Sequence, residues 1–194
     1  MSRQPLEKIV LDIKRLKKNT SPKELLGLAL TPPRLDDIEV TILQLKEAGA
    51  LSLYKNSEFC KTDGDLTWAG ELMGLLPIDI KLAKLVLFGL VFGKLREAII
   101  IASALTVKSI FNRNFRSEFE SYRAKLIWSD GLFCDFISII NVYNVWEYNE
   151  KNNHIKSDRH KRQWAYKQHL EIDQLFAVNH KNNINEGMDN CGSL

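Results

Sequence analysis

The chain has 194 residues, of which 45% are hydrophobic, with only 5 Pro and 10 Gly, so it can bury the core of one medium domain or of two small packed ones. Its 27 Lys and Arg residues nearly balance its 24 Asp and Glu residues, and the net charge of +3 excludes a basic field over the whole molecule. Any binding of nucleic acid would therefore depend on local clusters of basic residues.

The cysteines and the N-terminal sequence bear on the cellular compartment. Cys60, Cys134 and Cys191 are odd in number and far apart, which argues against a disulfide framework and against a CxxC metal site. We therefore expect a reduced, cytoplasmic setting. No N-terminal stretch combines a basic region, an apolar segment and a small-residue cleavage site, so secretion is not expected. The most apolar run, residues 85–105, is interrupted by charged residues and predicts two buried helices rather than a membrane span.

The first 49 residues predict three short helices. The first covers residues 5–18 and repeats apolar residues at spacings of three and four, namely Leu6, Ile9, Ile13 and Leu16. Its polar residues are expected to face away from the core, namely Lys8, Asp12 and Lys14. A Ser-Pro pair opens the second helix at residue 21, and a Thr-Pro-Pro stretch ends it. The third helix covers residues 35–49 and ends at a glycine.

Two short segments follow, residues 51–54 and 59–61, and they predict a small β-hairpin. Three helices followed by a hairpin is the order of a winged helix, which we assign to residues 1–66. The remaining helices are predicted over residues 69–76, 79–92, 95–105, 118–127, 134–148 and 163–178. The predicted fold class is therefore mainly α: a winged helix followed by an α-helical bundle over residues 67–178 and a flexible tail over residues 179–194.

Three further expectations concern the bundle. The helix of residues 79–92, which Asp79 is placed to cap, is apolar on most faces and is expected in the bundle centre. Residues 149–162 are polar and basic and predict a solvent-exposed loop. The four tryptophans have apolar neighbours and are expected to pack in cores rather than stack on bases; they are Trp68, Trp128, Trp146 and Trp164.

Several stretches of the chain form a recognisable series. They are PLEKIVLDIKRL (residues 5–16), LALTPP (28–33), ILQLKEAGAL (42–51), DGDLT (63–67), LLPIDIKLAKL (75–85), AIIIASALTVKSIF (98–111), SDG (129–131), NVY (141–143) and QW (163–164). Together they resemble the winged-helix and helicase-associated (ratchet) region of DEAH-box RNA helicases over about residues 5–178. Within that family, residues 31–51 and 63–89 are most similar to the germline, tudor-domain-containing branch, the spindle-E type.

The resemblance implies a non-catalytic accessory region that contacts single-stranded RNA and couples motor-lobe motion to RNA translocation. ATP and Mg would bind in a motor core that this chain lacks, and no cofactor or metal is expected here. The implied partners are single-stranded RNA, the helicase motor lobes in cis and piRNA-pathway proteins, with no membrane contact. The implied setting is germline piRNA-mediated transposon silencing in cytoplasmic germ granules, or nuage.

Seven cations that interrupt otherwise apolar helices are the candidate RNA-binding residues: Lys81, Lys84, Lys94, Arg96, Lys108, Arg113 and Arg116. In the family that the chain resembles, the helical bundle lines a channel for single-stranded RNA, which implies that these side chains neutralise backbone phosphates. The alternative for each is a solvated cation or one paired with a nearby acid, such as Arg96 with Asp79 or with the neighbours of Glu97. A denser basic cluster lies in the predicted solvated loop: Lys156, Arg159, Lys161 and Arg162.

No catalytic pattern is present in the sequence. It has no GxxxxGK[ST] phosphate loop, no DExH box and no glutamine-arginine motif, so ATPase activity of the chain alone is not expected. The histidine spacings do not fit a helical zinc pair, and Cys134 is expected to be a buried inert thiol. Asp36 and Asp37 sit at a helix start, where they meet the helix dipole favourably. The third helix is net acidic, which suits docking on the motor lobes better than binding phosphates.

Two functional hypotheses follow from these observations. The first is the RNA-contacting accessory region described above. The alternative is a protein-interaction module that binds the helicase core or piRNA-pathway partners with little RNA affinity. A DNA-binding winged-helix regulator is disfavoured, because its third helix would have to enter the major groove despite its acidic residues. A DExH box and a phosphate loop are expected to precede residue 1 in a longer protein.

Overall fold

A computed structural model gives the architecture of the chain. It describes residues 5–16, 20–55, 58–111, 118–155 and 157–189, with side chains described as far as Lys181. These residues form ten helices and one two-stranded antiparallel sheet, which confirms the mainly α class. No helix in these ranges is both long and apolar enough to span a bilayer. The chain divides into two compact units, Met1–Phe88 and Gly89–Leu194.

The first unit has the predicted order of three helices followed by a hairpin. Its elements are α1 (Leu6–Leu16), α2 (Pro22–Gly27), α3 (Leu35–Ala48), β1 (Tyr54–Lys55), β2 (Glu58–Phe59), α4 (Trp68–Leu75) and the start of α5 (Ile80–Val91). In the hairpin, Tyr54 pairs with Phe59 and Lys55 with Glu58. The assignment of this unit to the winged-helix class, and the domain boundary at residue 66, stay predictions.

Local capping explains where the helices of the first unit begin and end. Gly49 ends α3 in the left-handed region with φ of 82°, a conformation that glycine adopts without a Cβ clash. Thr67 opens α4, because its hydroxyl accepts a hydrogen bond from the backbone N–H of Gly70 at 2.9 Å. Asp79 caps α5 as predicted, accepting from the N–H of Lys81 at 2.8 Å.

The core of the first unit lies where α1 packs against α3 and α4. Its buried residues are Val10, Leu11, Leu26, Ile38, Ile42, Leu45, Ala50, Leu51, Met73 and Ala83. The prediction for α1 is confirmed for Leu6, Ile9 and Ile13, which pack against this core. It was wrong for Leu16, which is 85% exposed, and for Lys14, which is fully buried. The prediction was also wrong for Trp68, which is 65% exposed at the start of α4.

Lys14 is buried because an acidic residue far along the chain reaches it. Its Nζ lies 2.5 Å from Oδ1 of Asp63, and Nζ of Lys55 lies 2.6 Å from Oδ2 of the same carboxylate. The backbone N–H of Gly64 also donates to Asp63 at 2.8 Å. Burial raises the pKa of Asp63, but the bonds from Lys14, Lys55 and Gly64 outweigh it and hold that pKa below its ordinary value.

The second unit is entirely helical apart from an isolated bridge between Phe111 and Leu170, within the part of the chain that the structure describes. Its elements after α5 are α6 (Leu95–Leu105), α7 (Glu118–Trp128), α8 (Asp135–Lys151), α9 (Asp158–Lys167) and α10 (Ile172–Asp189). The largest buried side chain is Trp146, which packs near Tyr143 and Phe176. Trp128 and Trp164 pack at the border of this core.

Two predictions for the second unit were wrong in detail. The segment of residues 149–162 is not one loop, because α8 continues to Lys151 and α9 begins at Asp158. The single helix predicted over residues 163–178 is divided by a turn in which His169 has a positive φ of 57°. Helix α10 continues past residue 178 to Asp189, and the flexible tail over residues 179–194 stays a prediction.

The helix of residues 79–92 also differs from its predicted role at the bundle centre. Ala83 and Val86 are buried on one side of α5, whereas Val91 is 65% exposed and Phe92, just beyond the helix, is 75% exposed. A helix that is apolar on most faces is expected to be covered on most faces. At the C-terminal end of α5, the apolar side chains of Val91 and Phe92 are therefore exposed.

Candidate nucleic-acid interface

Five of the seven candidate RNA-binding cations lie in the described residues, and Arg113 and Arg116 lie outside them. Lys81 and Lys84 are on α5 in the first unit, whereas Lys94, Arg96 and Lys108 belong to the second unit. The five differ in what their charged groups contact.

Lys84 is engaged within the first unit. Its Nζ donates to the backbone carbonyl of Glu47 at 3.2 Å, and it lies 5.7 Å from the centroid of the Phe88 ring. A carbonyl and an aromatic face both stabilise an ammonium group, and together they fix its position. Lys84 therefore has the weaker case for binding a phosphate, since such binding would have to displace these contacts.

Arg96 is engaged more fully than Lys84. One terminal nitrogen donates to Oδ1 of Asn144 at 2.8 Å, and the other donates to Oε2 of Glu147 at 2.8 Å. The sequence had suggested Asp79 as the pairing acid, and that suggestion was wrong about the partner. Both contacts join α6 to α8, so Arg96 serves as a link between two helices of the second unit.

Lys81, Lys94 and Lys108 keep their charged groups available. All three are exposed, and neither Lys81 nor Lys108 has an acidic partner among the described residues. Lys94 lies 4.0 Å from Glu97 with 73% of its side chain exposed, which is a weak pair in water. Within the second unit, Lys94 and Lys108 flank opposite ends of α6, so the helix separates them by about 16 Å or more.

The acidic third helix has the character that the sequence predicted. Glu39 pairs with Lys23 at 2.8 Å, and the hydrogen bond and charge of Lys23 lower the pKa of Glu39. The ammonium group of Lys46 donates to the backbone carbonyls of Cys60 and Lys61, so it is turned toward the hairpin strand and its exit. Helix α3 therefore offers little positive charge to a nucleic-acid backbone.

The basic cluster of residues 156–162 is organised differently from the solvated loop that was predicted. Lys156 lies outside the described residues, whereas Arg159, Lys161 and Arg162 are on helix α9. Lys161 pairs with Glu150 at 2.5 Å and lies over the Phe176 ring, so it belongs to the internal packing of the second unit. The polar composition of this segment did not indicate a helix. The usable signal was Ser157, a residue type that often caps the start of a helix.

Two further features bear on ligand binding within the described residues. Among them, no group of three His, Cys, Asp or Glu side chains could hold a metal ion. A cavity of about 140 Å³ lies between α7 and the start of α8, next to the half-buried Cys134. Three of its polar side chains are already engaged, because Lys125 pairs with Asp135 at 2.7 Å and Ser138 donates to backbone carbonyls.

Comparison with known proteins places this architecture in a family. The profile described as "Helicase associated domain (HA2), ratchet-like" matches residues 79–175. The chain therefore belongs to the ratchet-like helicase-associated family and is an accessory region of the kind found in RNA helicases.

Named relatives extend the likeness over the first unit as well. The chain is 37% identical over 178 residues to "ATP-dependent RNA helicase TDRD9" of Danio rerio, which covers 92% of this chain and 13% of that protein. It is 39% identical over 177 residues to "Probable ATP-dependent RNA helicase spindle-E" of Culex quinquefasciatus, covering 91% and 12%. It is 41% identical over 179 residues to the spindle-E protein of Drosophila pseudoobscura pseudoobscura, covering 92% and 12%. The chain thus spans about an eighth of the length of these relatives.

Proposed function

We propose that the chain is the winged-helix and ratchet region of an ATP-dependent DEAH-box RNA helicase, where it contacts single-stranded RNA and couples motor-lobe motion to translocation. The observation that carries the proposal is the ratchet-like helicase-associated match over residues 79–175. The relatives named above are described as ATP-dependent RNA helicases. The catalytic steps would belong to motor lobes that bind ATP and Mg.

The exposed cations support RNA contact of a sequence-independent kind. Lys81, Lys94 and Lys108 present ammonium groups that no strong acidic partner neutralises within the described residues. Each such group that meets a phosphate releases a counterion, so the association constant falls as salt rises. For single strands the slope is about −0.7 per contact, so three contacts give at least about −2 in a double-logarithmic plot.

A fluorescence-anisotropy titration with a labelled single-stranded oligouridylate tests the proposal. We expect binding of the unmodified (parent) chain that weakens at least about 20-fold between about 50 and 200 mM salt. The triple variant Lys81→Ala/Lys94→Ala/Lys108→Ala should bind more weakly, with a slope shallower by about 2. Arg34→Ala is the matched control, because Arg34 is 88% exposed just before the acidic helix α3 and should not contribute. Absence of binding by the parent chain at low salt would refute RNA contact.

A protein-interaction module is the second candidate, and specific observations favour it. Arg96 and Lys84 are engaged internally, which removes two of the cations expected to bind RNA. Apolar side chains on α7 and the following turn are exposed, including Phe119 at 77% and Phe133 at 76%. Large exposed apolar patches mark sites of protein–protein interaction, among others. The absence of RNA binding, together with pull-down of separately expressed motor lobes, would favour this candidate.

The biological setting that we propose is germline piRNA-mediated transposon silencing in cytoplasmic germ granules, with piRNA-pathway proteins as partners. Its support is the likeness to proteins named spindle-E and TDRD9. Imaging of the tagged full-length protein in germ cells, together with sequencing of the small RNAs that co-purify with it, tests this setting. Uniform distribution in the cytoplasm without enrichment of transposon-derived small RNAs would contradict it.

A further inference from the structure

One face of helix α9 combines exposed cations with an exposed aromatic ring. The residues of this face are Arg159, Arg162, Gln163, Tyr166 and Lys167, and we refer to them as the α9 face. With about 100° of rotation per residue, Arg159, Gln163 and Tyr166 lie within about 60° of one another around the helix, flanked by the other two. Ala165, on the opposite side, is 1% exposed and anchors the helix in the core of the second unit.

The side chains of the α9 face make fewer internal contacts than Arg96 and Lys84 do. Tyr166 is 80% exposed. Within the described ranges, neither Arg159 nor Lys167 has an acidic partner, and Tyr166 has no ring partner. Arg162 lies 3.2 Å from Asp173, but the two side chains are 63% and 66% exposed, so water screens the pair.

The backbone beneath this face is held in place before any ligand arrives. Ser157 caps α9 by accepting a hydrogen bond from the N–H of His160 at 3.3 Å. On the inner side, Lys161 pairs with Glu150 at 2.5 Å. Arg159 and Lys167 are eight residues apart, so they project along about 12 Å of the helix axis. A ligand would therefore meet a fixed row of groups rather than a solvated loop.

From this arrangement we infer that the α9 face is an additional contact for single-stranded RNA, outside the set of Lys81, Lys94 and Lys108. The cations would meet consecutive phosphates, and the Tyr166 ring would provide a platform on which one base stacks. An exposed ring between exposed cations favours a nucleic-acid strand over an acidic polypeptide, because a strand supplies both the anions and the flat π-faces. The inference rests on the proposed RNA contact and assigns it a second location.

The closing experiment uses the 194-residue chain and a labelled oligouridylate. Removing the ring with Tyr166→Ala should weaken binding about 5- to 150-fold with the salt slope unchanged, because stacking is not ionic. Tyr166→Phe is the conservative control and should bind like the parent chain. The pair Arg159→Ala/Lys167→Ala should make the salt slope shallower by about 1.4. Since these side chains are exposed, thermal unfolding monitored by circular dichroism should match that of the parent chain.

The other outcomes are distinguishable from one another. If the α9 variants bind like the parent chain while Lys81→Ala/Lys94→Ala/Lys108→Ala loses affinity, the α9 inference is overturned and the proposed function stands. If the parent chain binds no RNA at low salt, the proposed function fails and the inference fails with it. If labelled polyglutamate binds as tightly as oligouridylate and responds equally to Tyr166→Ala, the α9 face recognises acidic polypeptides and the RNA inference is overturned.

Discussion

The Nζ atom of Lys14 lies 2.5 Å from Oδ1 of Asp63 in a place where both side chains are almost completely removed from solvent. Helix α1 and the residues that follow the hairpin are thereby joined by a charge pair between positions far apart in sequence. Lys55, on the hairpin, is the third member of the cluster, and its Nζ lies 2.6 Å from Oδ2 of Asp63. A buried charge of either sign is costly by itself, so each member of this cluster depends on the others.

Substitution of Lys14 should therefore destabilise the chain strongly. Lys14→Met leaves the Asp63 carboxylate buried with one lysine instead of two, and we expect the free energy of unfolding to fall by about 3 kcal/mol. The double variant Lys14→Met/Asp63→Asn should recover part of that loss, because it also removes the buried negative charge. Urea denaturation measures all three proteins. Lys23→Met, in an exposed pair, is the control that should change little, and equal losses for Lys14→Met and Lys23→Met would contradict the expectation.

The same carboxylate predicts how stability depends on pH. Its pKa in the folded chain lies below the ordinary 3.8, so on acidification the unfolded chain takes up the proton first. The stabilisation by Asp63 is therefore present above the ordinary pKa and is lost as pH falls through the lowered one. Urea denaturation between about pH 5 and pH 2 should show a steeper loss for the parent chain than for Asp63→Asn. Parallel pH profiles for the two proteins would show that Asp63 does not carry this dependence.

Close approach of two backbone segments makes Gly70 intolerant of a side chain. A Cβ atom at this position would lie 2.0 Å from the carbonyl oxygen of Ala50, and backbone cannot rotate aside as a side chain would. We expect Gly70→Ala to destabilise the first unit by about 1–3 kcal/mol or more. Gly27→Ala is the matched control, because nothing lies within 4 Å of its added methyl group. The midpoint temperature of thermal unfolding should fall for Gly70→Ala and should not fall for Gly27→Ala.

The internal role of Arg96 leads to a prediction about RNA binding. Its guanidinium is already bonded to Asn144 and Glu147, so Arg96→Ala should leave the salt slope of oligouridylate binding unchanged. Lys108→Ala should instead make the slope shallower by about 0.7, as expected for one phosphate contact with a single strand. Anisotropy titrations over a range of salt concentrations compare the two variants. A slope change for Arg96→Ala equal to that for Lys108→Ala would show that RNA displaces the internal bonds.

The order of the elements could be predicted from local signals, and the burial of Lys14 could not. The glycine at residue 49 marks the end of α3 by its own chemistry, and that end lies where the sequence indicated. The helix predicted over residues 69–76 is α4, shifted by one residue to Trp68–Leu75. The partner of Lys14 is on a distant segment, and helical periodicity carries no information about it. Periodicity therefore placed Leu6, Ile9 and Ile13 correctly against the core but placed Lys14 among the residues that face away from it.

The contacts of the candidate site also could not be predicted from local sequence signals. The sequence identified cations at helix borders, but the pairing of Arg96 with Glu147 depends on how α6 and α8 pack. For α9, composition was misleading, because polar and basic residues predicted a loop where a capped helix has one small residue, Ala165, to bury. The exposure of Tyr166 likewise could not be predicted from the sequence, because it depends on which side of α9 packs against the core.

The carboxylate of Asp63 and the hydroxyl of Thr67 are both used inside the first unit. Two ammonium groups enclose the carboxylate of Asp63, and the hydroxyl of Thr67 caps α4 while donating to the carbonyl of Gly49. These two residues therefore serve to assemble the first unit. Helix α9 behaves in the opposite way, because its outward side chains, such as Tyr166, can be exchanged without disturbing the buried Ala165 on its inner side.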